Sequence, residues 1–349
     1  MKRRRKLIAC LIAPFLGLLL AEGVVRVLGR RPVPLPEVKG GVLHKVRGDL
    51  VFINRPNARK VLLYRDHPGA KPRRVEMRTN GNRFRGPEVE QVKPEGTLRI
   101  ACLGDSHTFG DGVEEGQTWP DHLRERLVGD QAVEVLNCGV NAYDTMQEAL
   151  WFEKHVLPFD PDVCVLAYFV NDVAARGIDD DSSKPDWLQR VVHPRQTEPW
   201  IKNLRGTSRA ADLLCDAIYR RREKAGYTSL LWERYADDSQ GWLLVQQGLM
   251  RLRDRCEAEG IAFHVTLFPY IEATGDGFQS DRALAKVREF AASIDLEIFD
   301  ASPSMFAAWE GENLRVSTQD YHANGHAHGL FANAVAGELE RLGYPFAPR

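Results

Sequence analysis

Ser106 lies in the stretch Gly104-Asp105-Ser106-His107-Thr108-Phe109-Gly110, directly after an apolar run over 98–103. A serine hydroxyl is a weak nucleophile until a base takes its proton, so Ser106 needs an imidazole within reach. His322 supplies one near the C-terminus, in Asp320-Tyr321-His322-Ala323-Asn324. Asp320 can accept the other ring N–H, fixing the tautomer and stabilising the imidazolium. Asn171, in Phe169-Val170-Asn171-Asp172, brings a side-chain amide suited to a developing oxyanion. Backbone N–H groups near Ser106 and Ala142 add two further donors. These are the parts of an acyl-transfer site. Each is common by itself: Gly-Asp-Ser often marks a turn in which Asp caps a helix, and Asp-x-His often marks a surface loop. Their order and placement are what join them.

The placement follows from the alternation of elements after residue 97. Runs over 98–103, 133–136, 163–169, 261–268 and 296–299 read as strands. Runs over 119–127, 145–156, 241–258, 281–294 and 330–342 read as helices. Continuously apolar strands alternating with helices indicate a parallel sheet covered on both faces. In such sheets sites form at the carboxyl ends of strands. Ser106, Ala142 and Asn171 each follow a strand, and Asp320 and His322 precede the last helix. Residues 173–240 are charged, read as irregular, and carry Trp187, Trp200 and Trp232. This insertion is suited either to substrate selection or to a structural cap.

Gly104-Asp105-Ser106, Asn171-Asp172 and Asp320-x-His322-x-Asn324 resemble the motifs of the SGNH (GDSL-like) hydrolases. The resemblance spans about residues 97–345 and is most specific over 99–113, Arg-Ile-Ala-Cys-Leu-Gly-Asp-Ser-His-Thr-Phe-Gly-Asp-Gly-Val. The stretch 75–86 resembles the lead-in of membrane-anchored bacterial members. The resemblance implies a three-layer α/β/α, flavodoxin-like fold with a parallel five-stranded sheet, and a serine ester hydrolase that uses neither metal nor cofactor. It implies Ser106 as nucleophile and first oxyanion donor, Ala142 and Asn171 as further donors, His322 as base and Asp320 as its partner. Two departures stand out. Anchored on Asn137, the family's second-block glycine aligns with Ala142, Gly139 being the nearest true glycine, and alanine tolerates a positive φ poorly. Asp320 precedes His322 by two residues where many members have three, a shorter spacing shared by related polysaccharide-modifying members.

Other chemistries fit less well. A Gly-x-Ser-x-Gly elbow would need glycine where Thr108 stands. His322, His326 and His328 form a weak metal pattern, since the last two sit where a helix begins. There is no CxxC, so structural zinc is not expected. Cys102, Cys138 and Cys164 lie in or beside apolar strands and read as small buried side chains. Cys215 and Cys256 fall on helix-like segments and are candidates for pairing, and Cys10 lies in the first apolar run.

The 349 residues, 44% hydrophobic and 27% charged, exclude collagen-like and globally disordered classes. Five of the 47 basic residues lie at positions 2–6, leaving 42 against 48 acidic residues, with no nucleic-acid signature. The basic cluster abuts an uncharged run over 7–21. That order predicts a single-pass signal-anchor over 1–29, N-terminus cytoplasmic, with Glu22 at the far interface and the catalytic domain periplasmic or otherwise extracytoplasmic. A cleaved signal peptide is the rival, though Leu19-Leu20-Ala21 makes a poor cleavage site. A Pro-rich tether over 30–40 and a basic accessory region to 96 come next, the latter either a solvated face or suited to anionic headgroups or an acidic polymer. The hydrolase domain occupies 97–349. Three functions are consistent with this pattern: an esterase or deacylase acting on O-acylated envelope carbohydrate or lipid, an O-acyltransferase modifying an envelope polysaccharide, and an inactive envelope-binding module.

Overall fold

The computed structural model describes residues 16–31, 36–41, 43–47, 50–67, 69–127, 132–174, 207–271, 280–318 and 320–344. The chain divides into two compact units. The larger comprises Leu35–Tyr64, Pro72–Asp179 and Leu231–Arg349, and the smaller Met1–Pro34, Arg65–Lys71 and Asp180–Leu230.

The larger unit is built on five parallel strands, β6 (Leu98–Gly104), β7 (Val133–Asn137), β8 (Val163–Tyr168), β9 (Ala262–Leu267) and β10 (Ile298–Asp300). Their spatial order is β7-β6-β8-β9-β10. This is the flavodoxin-like order 2-1-3-4-5, which reverses direction beside β6 and opens a crevice at the carboxyl ends of β6 and β8. Every residue of β8 is buried, as a strand covered on both faces requires. After residue 105 the α-helices of the chain are α1 (Ser106–Phe109), α2 (Trp119–Arg126), α3 (Thr145–Trp151), α4 (Arg209–Arg234, most of it in the smaller unit), α5 (Gln240–Glu259), α6 (Ser280–Ser293), α7 (Ser302–Ala307) and α8 (Gly325–Arg341). Helices α2 and α8 pack together, as do α3 and α5.

Ahead of this sheet run five short strands, β1 (Glu37–Gly40), β2 (His44–Arg47), β3 (Val51–Asn54), β4 (Arg59–Tyr64) and β5 (Arg73–Arg78). They form an antiparallel β1-β4-β5 sheet and a β2-β3 hairpin. Leu43, Leu62, Tyr64, Val75 and Met77 from this region share one buried cluster with Phe109, Val113 and Val316. Its arginines are largely committed. Glu76 pairs with Arg59, Arg74 and Arg78. Arg85 is buried and donates to Phe109 O at 2.9 Å, to Gly110 O, and to Val113 O at 2.5 Å. It thereby satisfies carbonyls at the end of α1 that the short helix leaves open. Burial lowers its pKa to about 10, so the guanidinium stays charged at neutral pH.

In the smaller unit, residues 16–27 are helical. Glu22 does not stand alone there: its carboxylate accepts from Ser208 Oγ (2.8 Å) and from the Arg209 and Ala210 N–H groups (3.1 and 2.8 Å) at the start of α4. Arg26 Nε closes the cluster at 2.6 Å. Among the described residues no helix is long and apolar enough to cross a membrane. Residues 1–15, with the basic cluster, Cys10 and most of the apolar run, lie outside them.

Three readings of the sequence are corrected. The stretch 173–240 was expected to be irregular, yet α4 is a helix of 26 residues. Its dense charge obscured a proline-free run of Ala, Leu and Arg, and its start is capped by Glu22 from far away in the chain. Trp187 and Trp200 fall outside the described residues. The last helix begins at Gly325 rather than 330, because the Asn324 side chain accepts from Ala327 N. Cys215 and Cys256 are unpaired, and Cys256 is buried.

Replacing Arg85 with Met keeps the apolar stem but strands the buried carbonyls of Phe109 and Val113, Gly110 O keeping the Val113 N–H at 3.3 Å. At roughly 1–3 kcal/mol per orphaned group, Arg85→Met is expected to lose at least about 2 kcal/mol, read as a lowered urea midpoint.

Candidate active site

The turn that carries Ser106 is set by the glycine at the end of β6. Gly104 has φ +146°, and a Cβ there would stand 2.2 Å from Thr108 Oγ1 and 3.0 Å from Ala167 O. Only glycine lets the strand turn this sharply. Asp105 then caps α1, its Oδ1 accepting from His107 N at 2.8 Å. Ser106 opens the helix, 7% exposed, its Oγ 3.3 Å from Asp105 Oδ2.

The partner loop is a tight return. Val316 N donates to His322 O, Ser317 N to Asp320 O, and Asn324 N to Leu314 O. Asp320 N donates to Ser317 Oγ at 3.1 Å. These bonds bring His322 to Ser106 across 216 residues of sequence: Ser106 Oγ donates to His322 Nε2 at 2.9 Å. His322 Nδ1 donates to Asp320 Oδ1 at 2.6 Å, which fixes the tautomer with Nε2 as acceptor. The two-residue spacing is accommodated because Asp320 Oδ1 also accepts from the His322 backbone N–H at 3.2 Å.

Electrostatics reflect this geometry. Burial alone would lower the His322 pKa, but the facing Asp320 carboxylate outweighs it and lifts the imidazole to about 9. Burial would raise Asp320; the imidazole charge and hydrogen bonds from His322 and Tyr64 instead hold it well below the usual carboxylate range. His107 is buried against Phe169, Phe268 and His322, with ring centroids 4.1, 4.6 and 5.3 Å away. Burial, then the neighbouring His322, pushes its pKa well down, so it stays neutral beside the catalytic candidate.

The other expected donors stand on the loops that follow the neighbouring strands. Ala142 and Asn171 come after β7 and β8, the strands on either side of β6. Asn171 is 8% exposed, with its Oδ1 buried and unpartnered. Ala142 adopts φ +69°, the left-handed conformation that the sequence suggested alanine would avoid. Its loop is held on both sides: Tyr143 N donates to Val140 O, and Tyr143 Oη to Phe52 O at 2.6 Å. Gly139 keeps a different role, its carbonyl accepting from Asn54 Nδ2 at 3.2 Å. The histidines of the weak metal pattern diverge. His326 faces Glu312 at 3.5 Å, and buried His328 accepts from Trp119 N through Nδ1. Among the described residues no group of three or more His, Cys, Asp or Glu could hold a metal ion.

Two neighbours of the site escaped the sequence. Tyr64 Oη donates to Asp320 Oδ2 at 2.6 Å. Arg73 donates to Val316 O at 2.9 Å and lies over the Tyr64 ring, 5.0 Å from its centroid. No local pattern marks either residue; only the contact between β4, β5 and the 314–324 loop does.

A flavodoxin-like sheet with a hydrogen-bonded Ser–His–Asp chain at its switch point defines an α/β protein equipped for acyl transfer. Residues 102–330 match the model of the GDSL-like Lipase/Acylhydrolase family. The chain belongs to that family and is a hydrolase of ester bonds. Solved structures with similar folds include a lipolytic protein of the G-D-S-L family from Veillonella parvula DSM 2008, 14% identical, covering 70% of this chain and 99% of its own, TM-score 0.41. TesA is also 14% identical, covering 70% of this chain and 99% of its own, TM-score 0.42. A two-domain esterase (CEX) active on acetylated mannans is 15% identical, covering 72% of this chain and 52% of its own, TM-score 0.37. No curated protein matches the chain.

Alanine at φ +69° carries strain of about 1 kcal/mol that glycine does not. Ala142→Gly is expected to leave the fold intact and match or slightly raise the melting temperature, whereas Ala142→Val lowers it, as a thermal melt would show.

Proposed function

We propose that the protein is a serine esterase in which Ser106 is the nucleophile, His322 the general base and Asp320 its orienting partner. The observation that carries this reading is the continuous pair of hydrogen bonds, 2.9 Å from Ser106 Oγ to His322 Nε2 and 2.6 Å from His322 Nδ1 to Asp320 Oδ1. Ser106 Oγ attacks the ester carbonyl carbon as its proton passes to His322 Nε2. The carbonyl π electrons move to oxygen, and the Ser106 and Ala142 N–H groups and the Asn171 amide receive the charge. Collapse re-forms the carbonyl and expels the alcohol, which takes the proton from His322. Water, deprotonated by His322, then attacks the acyl-serine, and the reverse sequence releases the acid and restores Ser106.

The setting belongs to the same proposal. The basic residues 2–6 before the uncharged run 7–21 support a signal-anchor, with the ester bond cleaved outside the cytoplasm and borne by carbohydrate or lipid of the envelope. A reporter enzyme active only outside the cytoplasm, fused after residue 349, is expected to be active and to sediment with membranes; an inactive, soluble fusion refutes the anchor.

Ser106→Ala and His322→Ala are each expected to cut turnover of a short p-nitrophenyl ester by about 10⁴-fold or more. The double variant should be scarcely worse, because the two groups act as a unit. A fluorophosphonate should label the wild type at Ser106 and leave Ser106→Ala unlabelled; a fully active Ser106→Ala would refute the mechanism. The pH dependence has a definite sign. His322 must be neutral to accept a proton, and its pKa is raised to about 9, so kcat/KM should climb with pH through neutrality and level off above that value.

A further inference from the structure

The accessory strands touch the site at one atom. Tyr64, the last residue of β4, is 1% exposed, and its hydroxyl lies 2.6 Å from Asp320 Oδ2. The other carboxylate oxygen, Oδ1, holds the His322 imidazole. The two oxygens of Asp320 are thus divided between the ring it steadies and the phenol behind it. The hydroxyl is enclosed on its far side: a Cβ on Gly112 would stand 2.9 Å from Tyr64 Oη and 2.8 Å from Val316 Cγ2. Arg73 fastens the same corner by covering the Tyr64 ring and donating to Val316 O, the neighbour of the Asp320 loop.

We propose that Tyr64 is a positioning residue of the active site, its hydroxyl orienting the Asp320 carboxylate and setting how strongly that carboxylate holds His322. The proposal rests on the Ser106–His322–Asp320 reading and extends it to a fourth member supplied by the accessory sheet. A carboxylate that accepts a short hydrogen bond spreads part of its charge onto the donor. With the phenol present, the charge facing His322 Nδ1 is tempered and Asp320 is held in one rotamer. Without it, Asp320 stabilises the imidazolium more strongly and is freer to turn. Burial, then the Asp320 charge, pushes the Tyr64 phenol far above its ordinary range, so it remains a donor at every working pH. The other charged or titratable groups acting on this corner are Arg73 beside Tyr64, Asp111 near both Tyr64 and His322, Asp105 and His107 next to His322, and buried His328 from α8, which the His322 charge also reaches.

The test compares kcat and KM for p-nitrophenyl acetate across pH in the full-length wild type, Tyr64→Phe, a protein carrying 3-fluorotyrosine at position 64, and Ser106→Ala. Tyr64→Phe retains the ring within its buried cluster with Leu62, Met77 and Phe109 and removes only the hydroxyl. It is expected to lower kcat about ten-fold at unchanged KM and to move the acidic limb of kcat/KM upward by about half a pH unit or more. Fluorotyrosine is a stronger donor and should move the limb downward. A residue that merely packed would change the melting temperature and leave both limbs in place, and limbs coinciding with the wild type overturn the proposal. Should Tyr64→Phe fail to fold, the direction of the fluorotyrosine shift decides alone. An active Ser106→Ala would instead overturn the underlying triad, whereas an inactive Ser106→Ala with unmoved limbs rejects Tyr64 only.

Discussion

The imidazole of His322 has two nitrogens, and each needs a partner of opposite character. Nδ1 gives its proton's hydrogen bond to Asp320 Oδ1, which leaves Nε2 to accept from Ser106 Oγ. Rotating or shifting the ring by an ångström would break one of these bonds. The demands on the fold come from that constraint. The turn after β6 must present Ser106 at a fixed height, and the 314–324 loop must return His322 to it. The parallel sheet meets the first demand by ending β6 at Gly104, and the backbone bonds between 314–317 and 320–324 meet the second.

The accessory strands take part in both. Arg85 binds the carbonyl end of the Ser106 helix, Asn54 holds the Gly139 carbonyl, and Tyr143 reaches back to Phe52 O. Arg73 and Tyr64 secure the His322 loop. The loops of Ser106, Ala142 and His322 therefore lean on residues between 52 and 85. Their contribution is geometric: a preorganised site needs side chains whose rotamers are fixed by the layer behind them. A region whose basic composition suggested an anionic partner spends several of its arginines on backbone carbonyls and on Glu76 instead.

How much was legible in the sequence differs from residue to residue. The strands of the large sheet were readable because burial on both faces leaves uninterrupted apolar runs, as in β8. Ser106, Asn171, Asp320 and His322 were readable as candidates because each stands at a strand end or ahead of a helix. Tyr64 was not, since its significance comes from a partner 256 residues away and a tyrosine closing an apolar strand has nothing local to distinguish it. The α4 helix was hidden by charge and by a cap borrowed from Glu22. Ala142 was readable as an exception but not in its outcome. Alanine's aversion to positive φ is only about 1 kcal/mol, and a loop pinned by Tyr143 and Val140 overrides it.

The shared cluster of Leu43, Leu62, Tyr64, Val75 and Met77 with Phe109, Val113 and Val316 bears on how this protein can be shortened. Recombinant fragments are often trimmed to the borders of a family match, here 102–330. Such a fragment would begin midway along β6 and stop within α8. It would bare an oily patch around Phe109, and exposed apolar surface of this sort invites self-association. Soluble material is better sought by starting upstream of Glu37 and retaining all of α8.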